Sequence, residues 1–480
     1  MKHSEFDEEF DVIVIGVGAA GAAAALSAHE RGASVLVVEK CPPKCAGGNT
    51  RVSGSGWFIN SSPERAAVFL RALNGSRTVA EDVVQTWASE TAKNSDWLAD
   101  LGATARPTGA YHTEAEFSEV DGADCYAGMN TINGEMGQFL LYEFLVGALA
   151  ERGIEIRFET RAQELTVVDG TVRGVRVEGP TGEATLGARG GVVLATGGFA
   201  ANPEMVQDYL PLDEYVLWGS PHSTGDGHRM AQRVGADMWH MGNMMTITGI
   251  DVGDTTGLFL ALWAGHDYMF IAPDGRRFTD ETKGNRHGHV QRNGAEELFP
   301  LRPFHIVFDE KLRAAGPLSP TSAVLPVGWK LLMENFVWST DNSVEVANGQ
   351  IRRADTLREL AAAIGVDPDT LERSVHDYNA ACDVGRDDHF GRDPETLAPV
   401  SEGPFYSLRV VPLLGWSDGG PRRDGHSRVL DTRGEVIEGL YAAGEASATY
   451  SWTKDGGFHI ADALAFGRVS GAHAASRVAS

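Results

Sequence analysis

The stretch DVIVIGVGAAG at residues 11–21 decides the fold of the first part of this chain. Its first five residues form a short apolar run, which is typical of a fully buried parallel strand. The small residues at positions 19–31 predict a helix that can pack closely on a sheet. A second apolar run, SVLVV at residues 34–38, predicts the next strand. Together they predict a strand–helix–strand unit with glycines at its first turn.

The glycines of this turn have the spacing G-x-G-x-x-G. Gly16 permits the tight turn, Gly18 lets the backbone approach a pyrophosphate, and Gly21 lets helix and strand pack closely. Glu39 ends the second strand and can accept hydrogen bonds from ribose hydroxyls. The helix N-terminus supplies free N–H groups and a positive dipole for phosphates. The combination predicts a dinucleotide site, the alternative being a glycine turn with a structural role alone.

The pattern beyond this unit indicates further elements of the same domain. Residues 137–152 read as a helix, and residues 154–158 and 171–178 alternate in a way that predicts antiparallel strands. Residues 191–198 return to a buried strand that ends in glycines.

The domain organisation follows from where the regular pattern of strands and helices stops and where it resumes. We predict a cofactor-binding domain from residues 1–245 and 409–480, interrupted by an inserted α+β domain at 246–408. The inserted part is less regular and contains an amphipathic helix near 356–364, whereas the end of the chain closes with a helix at about 460–475.

Composition excludes several classes of function. A formal net charge of −25 argues against nucleic acid and against an anionic membrane surface. No apolar run approaches the ~18 residues of a membrane span. Residues 1–10 are charged and lack the features of a signal peptide, so we expect a cytoplasmic protein.

The cysteines predict neither a disulfide framework nor a metal site. Cys41 and Cys45 have a C-x3-C spacing that fits neither a C-x-x-C redox motif nor a zinc pair, and Cys125 and Cys382 are far away. An ordinary loop is the favoured interpretation, with a redox or metal role as the alternative.

Several motifs, in matching order, resemble those of the fumarate reductase and 3-ketosteroid dehydrogenase superfamily of flavoproteins. Besides the glycine turn they are GGNT and SGSG within residues 47–56, ATGG at 195–198, TGDG at 224–227, GRRF at 275–278 and LYAAGE at 440–445. The resemblance implies a Rossmann-like α/β domain that binds FAD, with an inserted capping domain for the substrate. Because residues 47–56 contain no histidine, it also implies that FAD is held without a covalent bond.

The resemblance assigns a set of residues to FAD. Glu445 would bond the ribityl chain, and the last helix would aim its N-terminus at the flavin and stabilise its reduced, anionic form. The cofactor-binding residues expected in this way are Gly16, Gly18, Ala20, Gly21, Glu39, Lys40, Gly47, Gly48, Asn49, Thr50, Ser53, Gly54, Ala162, Thr196, Gly197, Gly198, Asp226, Gly444, Glu445 and Ala461.

The substrate-binding positions depart from those of fumarate reductases. The first substrate histidine of that family falls near residues 247–249, which hold none, and the second is replaced within residues 415–418. The arginine before the last helix corresponds to Lys454. Fumarate or succinate is therefore not the expected substrate.

Several residues remain as candidates for the catalytic groups. Arg286 is the candidate proton donor, although it lies one residue further from Arg277 than the corresponding arginines of the family do. His287 or His289 could contribute to the site instead. The alternative is that Arg286 forms a structural salt bridge. Lys454 or a tyrosine could stabilise an enolate. The aromatic candidates are Tyr111, Tyr126, Tyr268, Trp416, Tyr450 and Trp452, of which Tyr268 and Tyr450 are the proposed catalytic tyrosines.

The expected function is therefore that of an FAD-dependent oxidoreductase acting on a CH–CH bond next to a carbonyl or carboxyl group. Hydride would pass at the flavin, a side chain would handle the proton, and the substrate would be a ketone or enone. A 3-ketosteroid dehydrogenase, an accessory electron-transfer flavoprotein and an FAD monooxygenase are the alternatives. The electron donor or acceptor is a separate partner that the sequence does not identify.

Overall fold

The computed structural model describes residues 6–109, 112–253, 256–260, 262, 265–292, 294–319, 327–332 and 338–478. These residues divide into two compact units, the first at Met1–Pro211, Gly219–Met245 and Gly415–Ser480, and the second at Leu212–Trp218 and Thr246–Leu414. Within the described residues, no helix has both the length and the apolar character needed to cross a membrane.

The regular elements up to residue 250 are, in chain order, β1 (Glu8–Ile15), α1 (Ala19–His29), β2 (Val35–Val38), α2 (Gly48–Val52), β3 (Trp57–Asn60), α3 (Pro63–Asn74), α4 (Glu81–Thr91), α5 (Asn94–Asp100), β4 (Ala105–Pro107), β5 (Tyr126–Ile132), α6 (Leu140–Glu151), β6 (Glu155–Arg157), β7 (Arg161–Val168), β8 (Thr171–Gly179), β9 (Gly182–Leu194), α7 (Pro203–Tyr209), β10 (Val216–Leu217), α8 (Asp226–Arg233), β11 (Met238–Trp239) and β12 (Met244–Ile250).

The later elements are β13 (Leu258–Phe259), β14 (Tyr268–Ile271), β15 (His289–Arg292), β16 (Ala295–Leu298), β17 (Phe304–Asp309), α9 (Glu310–Ala315), α10 (Ser343–Ala347), β18 (Ile351–Ala354), α11 (Leu357–Ile364), α12 (Pro368–Val384), β19 (Phe405–Ser417), β20 (Gly420–Pro421), β21 (Arg428–Leu430), β22 (Val436–Ala442) and α13 (Phe458–Ser476). Short 3-10 turns lie at Ala123–Cys125, Trp329–Leu332, Pro394–Thr396 and Gly444–Ser447.

The first unit is built on a sheet whose strand order is β21-β22-β9-β1-β2-β6, extended by β7 and β8. The strands β22, β9, β1, β2 and β6 run parallel to one another, whereas β21 and β8 are antiparallel to β22 and β9. In the register, Ile15 lies opposite both Val38 and Leu194, and Leu194 lies opposite Ala442. The carboxyl ends of four strands therefore meet at one edge of the sheet, which is where open α/β sheets bind their ligands.

Two helices pack on one face of this sheet at very short range. The glycines Gly467 and Gly471 of α13 face the backbone of α1, so that a Cβ at either position would overlap the carbonyl oxygens of Ala20 and Ala24. The small residues of α1 thus have a physical purpose, because they let the last helix approach the first.

One predicted strand has the opposite direction from the one expected. We expected residues 154–158 and 171–178 to form antiparallel strands. The second, β8, is antiparallel to β7 and β9, but the first, β6, is parallel to β2. Alternation of apolar and polar residues indicates a strand and gives no information about its direction, which explains the error.

The second unit contains a largely antiparallel sheet of order β13-β12-β19-β17-β14, with β10 and β18 also paired to β19. The predicted helix near 356–364 is present as α11, and Thr356 and Glu359 form a capping box at its start. In the same unit, the Glu281 carboxylate accepts hydrogen bonds from the guanidinium group of Arg277, at 2.7 and 2.8 Å, and from that of Arg392, at 3.0 Å. All three side chains are nearly or fully buried, so this network has a structural role.

Candidate active site

The glycine turn has the geometry that a pyrophosphate requires. Gly16 has a φ of +100°, and a Cβ there would overlap the carbonyl oxygen of Ala195. At Gly18, the glycine expected to approach the pyrophosphate, a Cβ would lie 3.2 Å from Thr50 Oγ1. Thr50 also accepts a hydrogen bond from the Ala19 N–H at 3.0 Å, which joins the second glycine-rich segment to the start of α1.

The acidic residue after β2 is held inside the turn. Glu39 is buried and accepts hydrogen bonds from the backbone N–H groups of Cys41 at 2.9 Å and Val17 at 3.2 Å. Its carboxylate oxygens can still accept further bonds from ribose hydroxyls. Lys40 points elsewhere, since its ammonium donates to Thr224 at 2.7 Å and forms an ion pair with Asp226 at 2.8 Å.

The segments at residues 47–56 and 440–445 meet through one hydrogen bond. Asn49 Nδ2 donates to Glu445 Oε2 at 2.8 Å, and Asn49 Oδ1 accepts from the Ser220 N–H at 2.7 Å. Burial raises the pKa of Glu445 to about 8, and Asp418 adds to this rise while the Asn49 amide opposes it. Gly198 faces the same carboxylate so closely that a Cβ would overlap it.

The other expected cofactor residues lie around these groups or support them. Gly47 has a φ of +99° and lies against the ring of Tyr142, and the φ of Gly444 is +70°. Ala162 is buried within β7, and Ala461 is buried in the first turn of α13. Of those without an individual description above, Ala20 and Gly21 lie in α1, Gly48 begins α2, Ser53 and Gly54 follow α2, and Thr196 and Gly197 follow β9.

These features fit a bound FAD. Glycines without room for a side chain line the turn, the N-terminus of α1 and the buried Glu39 carboxylate flank it, and the Glu445 carboxylate is hydrogen-bonded to Asn49 of the second glycine-rich segment. FAD would supply hydride exchange at the flavin ring.

A buried polar cluster lies next to the start of α13, and we refer to its four residues, Trp416, Asp418, Lys454 and His459, as the α13 cluster. Lys454 Nζ donates to Asp418 Oδ2 at 3.2 Å. His459 Nε2 is 3.0 Å from Asp418 Oδ1 and accepts a hydrogen bond from Trp416 Nε1 at 2.9 Å. The Lys454 ammonium also lies 5.7 Å from the centre of the Trp416 ring.

The members of the cluster differ in accessibility. The side chains of Lys454 and Asp418 are 0% exposed, whereas that of His459 is 20% exposed. Although burial by itself raises the pKa of Asp418, the charge of Lys454 and the interaction with the neighbouring His459 imidazole bring it down to about 2. Lys454, a residue that we expected to contact the substrate, is thus enclosed and paired with a carboxylate.

Tyr450, a proposed catalytic tyrosine, lies in the aromatic core. Its side chain is fully buried, its hydroxyl donates to the Phe458 carbonyl at 2.6 Å, and it accepts from Trp87 Nε1 at 3.0 Å. Its hydroxyl is thus bonded within the core, and its catalytic role stays a prediction.

The candidates of the second unit have separate environments. Arg286 forms an ion pair with Glu296, and its backbone pairs with that of His289 at a turn. His287 is in this turn with a φ of +44°. Tyr268 is buried in β14, 5.2 Å below the Arg392 guanidinium, and burial raises the pKa of its hydroxyl to about 12. Their catalytic roles stay predictions.

The other aromatic candidates also have definite environments, except Tyr111, which lies outside the described residues. The Tyr126 hydroxyl donates to the Gly456 carbonyl at 3.0 Å. Trp452 lies 3.6 Å below the guanidinium group of Arg77. Each contact anchors the loop that carries Lys454.

Sequence reasoning missed Asp418 and His459 as site residues. A signal was present, because each residue lies within two positions of a Gly-Gly pair that matches the family pattern, at 419–420 and 456–457. Their pairing with Lys454 was not readable, since the three residues come from a strand end, a loop and a helix start.

Comparison with protein families gives a match over most of the chain. The model of the family described as "FAD binding domain" matches residues 11–461.

Two curated relatives are similar at 28% identity. NADH:fumarate oxidoreductase of Klebsiella pneumoniae aligns with 98% of this chain, which covers 48% of that protein. Vinyl phenol reductase of Lactiplantibacillus plantarum also aligns with 98% of the chain, and here 97% of the relative is covered. The chain therefore spans about half of the first relative and nearly all of the second.

Among solved structures, a similar fold is found in 3-ketosteroid Δ1-dehydrogenase from Sterolibacterium denitrificans, crystallised with 1,4-androstadiene-3,17-dione. The TM-score is 0.80 at 23% identity, and the match covers 98% of this chain and 100% of that one. At this identity the likeness concerns the fold alone.

Proposed function

Since the chain belongs to the FAD binding domain family, we propose that it is an FAD-dependent oxidoreductase acting on a carbon–carbon bond next to an activating group. In the reducing direction a hydride and a proton add across a double bond, and in the oxidising direction both leave. The names of the curated relatives support this reaction class, because they describe reductases of fumarate and of a vinyl phenol.

The pairing of Lys454 with Asp418 is the observation that carries our proposal for the substrate, an uncharged ketone, enone or similar conjugated acceptor. A dicarboxylate needs uncompensated cations, because a charge that leaves water without a partner is costly. In the α13 cluster the one lysine is fully buried beside a carboxylate at 3.2 Å, so the pair has no net positive charge. The vinyl phenol reductase, which this chain matches almost end to end, supports the same substrate class by its name.

Three further points belong to the proposal. FAD is held non-covalently, supported by the absence of histidine from residues 47–56. Electrons come from or go to a separate partner. The protein is cytoplasmic.

An anaerobic substrate screen tests the proposed function. The purified protein is loaded with FAD, the flavin is reduced, and its reoxidation is followed at the visible absorbance band with enones, vinyl phenols, acrylate and fumarate. The oxidised protein is mixed in parallel with saturated ketones, including a 3-oxosteroid. We expect an uncharged acceptor to reoxidise the flavin at least ~10 times faster than fumarate, which corresponds to ~1.4 kcal/mol of barrier.

The screen has three contrary results. A preference for fumarate would overturn the substrate class. Reaction with the 3-oxosteroid alone would favour the ketosteroid dehydrogenase. No reaction with any compound would remove the enzymatic proposal and leave the accessory electron carrier.

A further inference from the structure

His459 is the member of the α13 cluster that a substrate can reach. It is the second residue of α13, directly after Phe458, and 20% of its side chain is exposed. Lys454 and Asp418 have no exposed side-chain surface on which a substrate oxygen could rest. Any direct contact between this cluster and a substrate therefore involves His459 or its neighbour Trp416.

Two groups compete for the same nitrogen of His459. Trp416 Nε1 donates to Nε2 at 2.9 Å, which requires a lone pair there and puts the imidazole proton on Nδ1. Asp418 Oδ1 lies 3.0 Å from the same Nε2 and would favour a proton on it. Within the described residues Asp418 Oδ1 accepts no hydrogen bond, so the geometry favours the Trp416 contact.

The surroundings keep this imidazole neutral. Burial is the largest effect and lowers the pKa of His459, and the Lys454 ammonium lowers it further, while Asp418 and Asp462 raise it. The positive end of the α13 dipole also disfavours an added proton. Around the ring stand the indole of Trp416 and the phenol ring of Tyr450, at 5.2 and 5.0 Å between ring centres.

Building on the proposed function, we infer that His459 is a catalytic residue whose neutral imidazole donates its Nδ1–H to the substrate oxygen. When a hydride adds to the β carbon, its electron pair moves the π electrons onto that oxygen, and the hydrogen bond stabilises the charge. No bond to His459 forms or breaks. The α carbon then takes a proton from water. Lys454 and Asp418 are positioning residues that act through His459.

Rate measurements on the FAD-loaded protein give the first test. His459→Leu removes the donor, His459→Gln keeps an N–H, and His376→Leu is the control at an exposed histidine of α12. We expect His459→Leu to lower the rate of flavin reoxidation about 100-fold at saturating substrate, with FAD content and KM changed much less, and His459→Gln to restore part of it. A wild-type rate in His459→Leu would overturn the inference.

Histidine ¹⁵N NMR of the holoenzyme gives a second readout that does not depend on turnover. The His459 signal is the one lost in His459→Leu, and we expect the Nδ1–H tautomer. In Lys454→Met the cation is gone while Asp418 remains, so the pKa of His459 should rise, whereas Lys93→Met, at an exposed lysine paired with Glu90, should leave it unchanged. An Nε2–H tautomer, or an unmoved pKa in Lys454→Met, would overturn the inference.

The two proposals fail separately. If no compound in the screen reacts, the proposed function fails, yet the tautomer and the pKa of His459 can still be measured. If a compound reacts and His459→Leu reacts equally fast, only the role of His459 fails.

Discussion

At the scale of single residues, Glu445 is the clearest example of a group whose usual ionisation is disturbed by its place in the fold. Its carboxyl is held among Asn49, Gly198 and the end of β22, and burial raises its pKa to about 8. The folded protein therefore binds a proton there over a pH range in which the unfolded chain has lost it.

This shift predicts a pH dependence of stability. A raised carboxyl pKa stabilises the folded state below the unfolded pKa of about 4.5, and this contribution is lost as pH rises towards about 8. While the proton is bound only in the folded state, the loss is about 1.4 kcal/mol for each pH unit. Glu445→Gln should remove this slope, so the apoprotein variant gains stability relative to wild type between pH 5 and pH 8.

Urea unfolding of both apoproteins across this pH range measures the difference. Glu435→Gln is the control, because Glu435 is exposed. Curves for Glu445→Gln and wild type that stay parallel from pH 5 to pH 8 would contradict the prediction.

At the residue scale, the sequence carries a more direct signal for the cofactor side of the site than for the substrate side. Gly16, Gly18 and Glu39 belong to one strand–helix–strand unit that is contiguous in sequence, and so their spacing alone predicts their tasks. Lys454 was predicted as a substrate contact, yet its enclosure depends on Asp418 from another segment. Burial and pairing arise from tertiary structure, which no local spacing encodes.

At the scale of elements, the contact between α1 and α13 places the strictest demand on residue size. Both helices are nearly devoid of an amphipathic pattern and are buried over most of their length. In the first turn of α13 lie Ala461 and His459, so the position of this helix also sets the position of the candidate site.

A single added methyl group at this contact should therefore destabilise the protein. In Gly471→Ala the new Cβ meets the backbone carbonyl of Ala24, which cannot turn away as a side chain would. We expect a loss of about 1–3 kcal/mol in the free energy of unfolding, measured by denaturant titration of the apoprotein. Gly147→Ala is the matched control, since a Cβ there has no neighbour within 4 Å and α6 should be unharmed. Equal unfolding midpoints for both variants would refute the tight contact.

The sequence predicted the elements of the first strand–helix–strand unit, several later strands and the last helix of the first unit, and it was less informative about how these elements pair. The strands β1, β2 and β9 are apolar on both faces, which indicates a parallel sheet. The short β6 shows only a weak alternation of apolar and polar residues, which gives no information about strand direction. Its direction could therefore be assigned only once its neighbour was known. The second unit consists of short strands and turns whose pairing partners are distant in sequence, and its topology was not predicted.

At the scale of the whole molecule, the excess of acidic residues is the dominant electrostatic property. The chain has 66 aspartates and glutamates against 41 lysines and arginines, which gives a formal net charge of −25 at pH 7. Like charges on a compact surface repel one another, and this repulsion opposes folding.

Salt should consequently stabilise the protein at neutral pH. Raising NaCl from about 10 mM to about 150 mM shortens the screening length from ~30 Å to ~8 Å. We expect the urea midpoint of the apoprotein to increase at pH 7, and the increase to vanish near the sequence pI of about 5.0. A midpoint that falls with salt at pH 7 would indicate that attractive ion pairs outweigh the net repulsion.

The sheet order also governs when this protein can fold during its synthesis. The edge of β9 is covered by β22, and α1 is covered by α13, although the segment Thr246–Leu414 of the second unit is translated between β9 and β22. Until they emerge, the nascent chain exposes an unpaired strand edge and a helix of alanines, surfaces that chaperones bind. The cofactor site is thus completed only after the second unit has been translated, and a nascent chain that stops before β22 lacks the segment that carries Glu445.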